Sequence, residues 1–258
     1  MCYTIQQLEE RILKQGQRKN STPDEILEAL RIFREQLKGK PLFAVSGFEH
    51  PEIPVLIVSS RFEWIPMHWG LIPLWCKDWN AAMEMSNMTL NARAESVFEK
   101  PAFKHAASTR RGVVPITGFY EYKHLKGKKF PFYIDWIDEE VRWVACVCDE
   151  WKDREKGETL LTFSIVTTKG NSFMAEIHNN PKLEEPRMPV MLEGQDIITW
   201  LNPETPVESL KQLMRASSDE NMRAHSVKPL RGKFSPGNTL EAYQPYKYAE
   251  LYEPPKLF

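Results

Sequence analysis

No stretch of the chain approaches the roughly 18 consecutive apolar residues of a membrane-spanning helix, and no basic segment followed by an apolar run marks a secretory signal. Cysteine is scarce. Cys2, Cys76, Cys146 and Cys148 are too few among 258 residues for a disulfide framework, which points to a reducing compartment, the cytoplasm, with no membrane partner. Glycine signatures that cradle phosphates are missing too: neither a P-loop nor a dinucleotide fingerprint occurs. Metal-ligand spacing is equally absent. Cys146 and Cys148 would share one face of a strand without a second pair, and Cys76 with His68 makes only two ligands, so no metal and no cofactor are expected. The net charge is only −1, and neither a repeat nor a low-complexity linker divides the chain.

The near-neutral total conceals an asymmetry. From Arg93 to Lys129 nine basic residues stand against three acidic ones, a local +6 that leaves −7 for the remainder. Such a block suits a polyanionic partner, and equally a solvated helix face beside a Lys-rich hairpin tip. Ile5, Leu8 and Ile12 predict a helix over 5–13. Thr22, Pro23 and Glu25 read as the start of a second helix, with Ile26, Leu30, Phe33 and Leu37 as its apolar stripe. From residue 41 the period changes. Short runs rich in Val and Ile predict strands over 42–48, 54–59, 62–73, 112–122, 130–137, 142–148 and 160–167, with short helices between them. The expected fold is one α+β domain over 1–258, a curved, barrel-like, mostly antiparallel sheet flanked by helices. A helical segment would occupy 1–40 and a Pro/Tyr-rich tail 233–258.

Several residues have chemistry to offer. Cysteine is small enough for Met1 to be removed ahead of it, leaving Cys2 with a free amine and a thiol on adjacent carbons. With reference pKa values of about 7.7–8.0 and about 8.5, both groups are partly nucleophilic near neutral pH. Such an aminothiol traps an aldehyde as an imine and closes it to a thiazolidine; taken alone, Cys2 is better explained by chance next to the start codon. Glu121 follows Gly118-Phe119-Tyr120, where apolar neighbours would raise its pKa, unless it is an exposed strand-end carboxylate. His178, at the end of a short helix, suits a general acid or base or a helix-terminal cation. Asn91 would cap a following helix or orient a substrate, and Arg93 would grip phosphate or pair with Glu95. Trp69 and Trp75, among prolines, read as core or as platforms for unpaired bases.

Taken in order, these segments resemble the SOS-response-associated peptidase (SRAP) family, in which an amino-terminal cysteine crosslinks to abasic sites in single-stranded DNA. The resemblance runs through Met1-Cys2, Trp69-Gly70-Leu71-Ile72-Pro73, Asn91-Ala92-Arg93-Ala94-Glu95, Arg111, Gly118-Phe119-Tyr120-Glu121, His178 and Arg187-Met188-Pro189-Val190. It implies a nucleophilic Cys2, Asn91 orienting the amino terminus or the substrate, and Glu121 and His178 moving protons. Arg93, Arg111 and Lys123 would hold phosphates, with Trp69 and Trp75 against the bases. It also implies autoproteolytic loss of a leader, here Met1 alone, with peptidase and lyase activities and a monomer as the working unit. The chain is a divergent member. Tyr3-Thr4 follow the cysteine where the family has Gly-Arg-Phe. The family's Arg-Tyr-Asn-x-Ala-Pro motif is degraded around Phe43-Ala44-Val45-Ser46, Tyr122 replaces a Trp, and a loop separates His178 from Arg187. Two other readings remain open: a cysteine peptidase or amino-terminal-nucleophile hydrolase using Cys2 and His178, and a non-catalytic single-strand binder.

Overall fold

A computed structural model describes residues 2–7, 10–11, 42–59 and 62–252. In chain order the strands are β1 (Thr4–Gln7), β2 (Leu42–Ser46), β3 (Glu52–Val58), β4 (Phe62–Trp69), β5 (Asn91–Arg93), β6 (Arg111–Ile116), β7 (Gly118–Leu125), β8 (Lys128–Trp136), β9 (Arg142–Lys152), β10 (Thr159–Lys169), β11 (Arg187–Pro189), β12 (Met191–Leu192) and β13 (Met222–Ser226). The helices among the described residues are α1 (Trp79–Met88), α2 (Lys104–Thr109), α3 (Ser172–Ile177), α4 (Gln195–Leu201), α5 (Val207–Leu213) and α6 (Ala249–Tyr252). None is long and apolar enough to cross a membrane. The helix predicted from Thr22 lies outside the described residues.

Five strands close on themselves. β3 pairs antiparallel with β4 and β6, β6 with β9 and β9 with β10, and β10 returns to β4 in parallel register. The two-residue side-chain period then sorts each strand between an inside and an outside. Ile53, Val55, Val114, Ile116, Cys146, Cys148, Phe163 and Ile165 belong to one buried cluster. Their neighbours Leu56, Val113, Ala145, Val147 and Val166 face the other way, under Trp200, Leu201 and Leu210 of α4 and α5. The free thiols of Cys146 and Cys148 thus belong to the interior of the barrel.

A second, wholly antiparallel sheet runs in the order β13-β8-β7-β1-β2. Its Ile5, Phe119, Ile134 and Met222 join the same inner cluster as the barrel residues, so the two sheets share one core. The chain changes sheets at Thr117, whose amide donates to the Gln6 carbonyl at 2.9 Å. A single strand was expected over 112–122. The structure breaks it there into β6 and β7, which carries Glu121 out of the barrel and into the second sheet. Gly118 makes the switch possible, since a Cβ at that position would lie 2.4 Å from the Tyr133 ring.

Of the helix expected over 5–13, residues 5–7 belong instead to strand β1, while Glu10 and Arg11 are helical. Gln6 and Gln7 make this strand look solvent-facing, yet both are fully buried. Gln6 Oε1 accepts from Tyr133 Oη at 2.5 Å and from Thr117 Oγ1 at 3.0 Å, and Gln7 Nε2 donates to the Pro115 carbonyl at 2.7 Å. These bonds meet one polar atom of each buried amide, Gln6 Nε2 and Gln7 Oε1 finding no partner among the described residues, and they pin Cys2, just before β1, against the shared core.

Candidate active site

Cys2 is completely buried in the inner cluster, and its thiol donates weakly to the Thr4 carbonyl at 3.9 Å. Burial, reinforced by the negative charge of Glu121, pushes the thiol well above the ordinary cysteine range. It is therefore a neutral S–H near neutral pH. Glu121 stands on β7 opposite Phe132, 5% exposed. Its burial raises the carboxyl pKa, and the positive charge of the amino terminus acts against that rise.

His178 follows α3, whose first turn is capped by the Asn171 side chain on the Met174 amide at 2.9 Å. Its Nδ1 accepts from the Arg187 amide at 2.8 Å. A ring nitrogen that accepts cannot carry the proton, so the neutral imidazole is protonated at Nε2, which lies 3.8 Å from Glu121 Oε2. Burial pushes the imidazole pKa down to about 4. Near neutral pH the ring presents an N–H to the site and has no lone pair free there to take up a proton.

Asn91 begins β5, which pairs in parallel with β10, Asn91 beside Ile165. Paired residues leave a sheet on the same face, so Asn91 points to the Ile165 side, where the core containing Cys2 lies. The expected helix cap is thus a strand residue. Both Nδ2 and Oδ1 are buried and find no hydrogen-bond partner among the described residues. An orphaned amide costs on the order of 1–3 kcal/mol, and such a group in a folded protein calls for an explanation. Arg93, two residues on and exposed, shares that face, and its charge reaches Tyr3, which Glu121 and Cys2 also influence.

One ion pair joins the two halves of this arrangement. Arg187, 2% exposed, grips both oxygens of Glu95 at 2.6 and 2.9 Å and donates to the Thr167 carbonyl at 2.7 Å. Its side chain thereby fixes the segment that follows Asn91 while its own amide orients His178. Sequence reasoning assigned Arg187 no role. It and Glu95 stand in the motifs quoted above, but their pairing spans 92 residues and leaves no local pattern.

Two of the expected DNA contacts are structural. Trp69 is fully buried, donates from Nε1 to the Leu90 carbonyl at 2.8 Å and stacks on Phe163. Arg111 is 5% exposed and gives its guanidinium to main-chain carbonyls, those of Trp200 at 2.8 Å, Ala107 at 2.8 Å and Asn202 at 2.7 Å among them. It ties β6 to the ends of α2 and α4 and has no face left for phosphate. Trp75, by contrast, is 54% exposed. Lys123 is half-buried two residues beyond Glu121, on the same face of β7. Among the described residues no group of three or more His, Cys, Asp or Glu side chains is placed to hold a metal.

The His178 imidazole makes stability depend on pH. Its pKa is about 4 folded against an ordinary 6.5, so between these values the unfolded chain binds the extra proton. The residue contributes stability above about pH 6.5 that is lost as pH falls through about 4, roughly 3 kcal/mol at most. Glu121, with its raised folded pKa, works in the opposite sense over the acid range. His178→Gln should therefore lose less stability than the wild type on acidification from pH 7 to 4, as read by urea unfolding. Parallel curves would show that the ring is not held neutral.

A closed five-stranded barrel shares its core with a second sheet and with the buried Cys2, whose thiol feels the charge of Glu121, itself 3.8 Å from the His178 imidazole, on an α+β scaffold. The sequence model of the family described as SOS response associated peptidase (SRAP) matches residues 17–233, and the chain belongs to that family. It is 36% identical over 211 residues to the abasic site processing protein YoqW of Bacillus subtilis (strain 168), which covers 80% of this chain and 88% of that protein. It is 30% identical over 190 residues to the abasic site processing protein HMCES of Gallus gallus, covering 66% of this chain and only 54% of that longer protein. A solved structure from Bacteroides thetaiotaomicron superposes with a TM-score of 0.78 at 31% identity, over 95% of this chain and 100% of the other. One from Bordetella bronchiseptica, at 18% identity and a TM-score of 0.67 over 88% of this chain and 100% of the other, shares the fold.

Proposed function

We propose that the chain processes abasic sites in single-stranded DNA by joining Cys2, freed of Met1, to the ring-opened sugar as a thiazolidine. The observation that carries this reading is the buried, unpartnered amide of Asn91, on the face of β5 that looks toward the core containing Cys2. It offers a donor and an acceptor to a sugar hydroxyl or to the terminal amine.

The protonation states favour one order of events. The thiol is held neutral, so the amine attacks the aldehyde carbon first. The carbinolamine then loses water with a proton from Glu121, whose carboxyl stays protonated to a higher pH than usual. The thiol adds to the imine carbon, and its proton passes to the Glu121 carboxylate or to the ring nitrogen. One water leaves overall. His178 supports the chemistry as an Nε2–H donor toward Glu121. Arg93 and Lys123 serve the phosphates and Trp75 an unpaired base. A thiolate hydrolase is less well supported, because His178 carries its proton on the nitrogen that would have to accept one from sulfur.

The test is an incubation with an oligonucleotide containing one abasic site. A denaturation-resistant adduct should form stoichiometrically, with the mass of protein plus DNA less one water. A tetrahydrofuran analogue, which cannot open to an aldehyde, should give none. Equal adduct on the analogue would refute aldehyde capture.

A further inference from the structure

A groove of about 510 Å³ lies beside β1 and β2, walled by Thr4, Ser46 and Phe48 on one side and by the segment from Leu230 to Asn238 on the other. The Asn238 side chain fastens that segment to β2 by accepting from the Phe43 and Ala44 amides at 2.7 and 3.1 Å. Arg231 reaches across with its guanidinium 4.9 Å above the Phe48 ring, which is itself 42% exposed. Phe48 in turn meets the Tyr3 ring at 4.9 Å, next to Cys2. The Arg231 charge also reaches Tyr122, the residue after Glu121. Arg231 is exposed and pairs with no carboxylate among the described residues, although Glu49 lines the same groove.

An exposed cation poised over an exposed aromatic face, in contact through one ring with the reactive residue, is the chemistry that holds an unpaired base and its phosphate. We infer that Arg231 and Phe48 form a subsite for a nucleotide adjoining the abasic position on one side of it, and so decide how much flanking single strand the protein requires. This rests on the function proposed above. The Arg-bearing segment lies more than 100 residues beyond Glu121 in sequence and comes to the site only through the fold.

The experiment measures crosslinking rate against DNA concentration for Arg231→Ala and Phe48→Ala. Three oligonucleotides are used, with single-stranded flank on the 5′ side of the abasic site, on the 3′ side, or on both. Each variant should raise the half-saturating DNA concentration roughly tenfold with the maximal rate unchanged, and only on substrates that carry one particular flank. The salt slope for Arg231→Ala should fall by about one on those substrates. Both side chains are at the surface, and unchanged thermal unfolding serves as the control for folding. An unaltered half-saturating concentration, or an equal penalty on both single-flank substrates, overturns the subsite in favour of general electrostatic attraction. Absence of any adduct with the wild-type protein overturns the parent reading instead, so the two failures are distinct.

Discussion

A residue retained ahead of Cys2 is expected to abolish adduct formation while leaving the thiol intact. The chemistry assigned to Cys2 needs its amine, and a peptide bond converts that amine to an amide with no basic lone pair. An insertion of one bulky residue between Met1 and Cys2, which prevents removal of the methionine, should reduce crosslinking to background. Thiol titration of the unfolded variant should still count four cysteines. Cys2→Ala should reach the same background by the opposite route, keeping the amine and losing the sulfur. It forms at most an imine, which hydrolyses on denaturation unless reduced first with borohydride. The pair separates the mechanisms sharply. A cysteine hydrolase acts through its thiol and tolerates an acylated amine, so crosslinking by the extended protein at more than a few per cent of the wild-type rate would discard the thiazolidine. Intact mass of the purified wild type should show loss of Met1.

The proposed reactive set could be named from the sequence because each member sits in a short, ordered motif: Cys2 at the start, Asn91 before Arg93, Glu121 after an apolar run and His178 before Arg187. What pattern reasoning misjudged are residues whose role depends on distant neighbours. Trp69 and Arg111 have side chains that stack on bases and grip phosphates, but Phe163, Trp200 and Asn202 enclose them, between 89 and 94 residues away. Gln6 and Gln7 look exposed until Thr117 and Tyr133 meet the Gln6 oxygen and Pro115 the Gln7 nitrogen. The barrel-like sheet was legible in the run of short strands, but the pairing that closes it was not. Closure depends on β10 returning in parallel to β4, with Thr162 beside His68 and Phe163 beside Trp69, a pairing with no local signature. Substitution of Gly-Arg-Phe by Tyr3-Thr4 read as a lost cation. The fold brings Arg231 to the adjoining groove from the far end of the chain.

Glu121→Gln is expected to slow crosslinking by roughly a hundredfold or more, the usual loss when a positioned acid–base group can no longer transfer a proton. The wild-type rate should pass through an optimum with pH. It rises as the amine loses its proton near its reference range of about 7.7–8.0 and declines as Glu121, raised by burial, ionises and stops protonating the departing hydroxyl. Glutamine removes the second requirement. The variant's rate should climb with pH to a plateau, hundredfold below the wild type at the optimum and closer to it in alkali. Unfolding does not account for such a loss, and the stability sign shows why. A carboxyl whose folded pKa lies above its ordinary 4.5 binds its proton more tightly when folded, so it contributes stability at low pH that is lost as pH rises through the folded value. Glutamine carries no buried charge to desolvate, and the variant should match or exceed the wild type in urea resistance at pH 8. A variant that is folded and retains a bell-shaped profile would move the proton transfer from Glu121 to another group. The His178 N–H, 3.8 Å away, would then be the next to test.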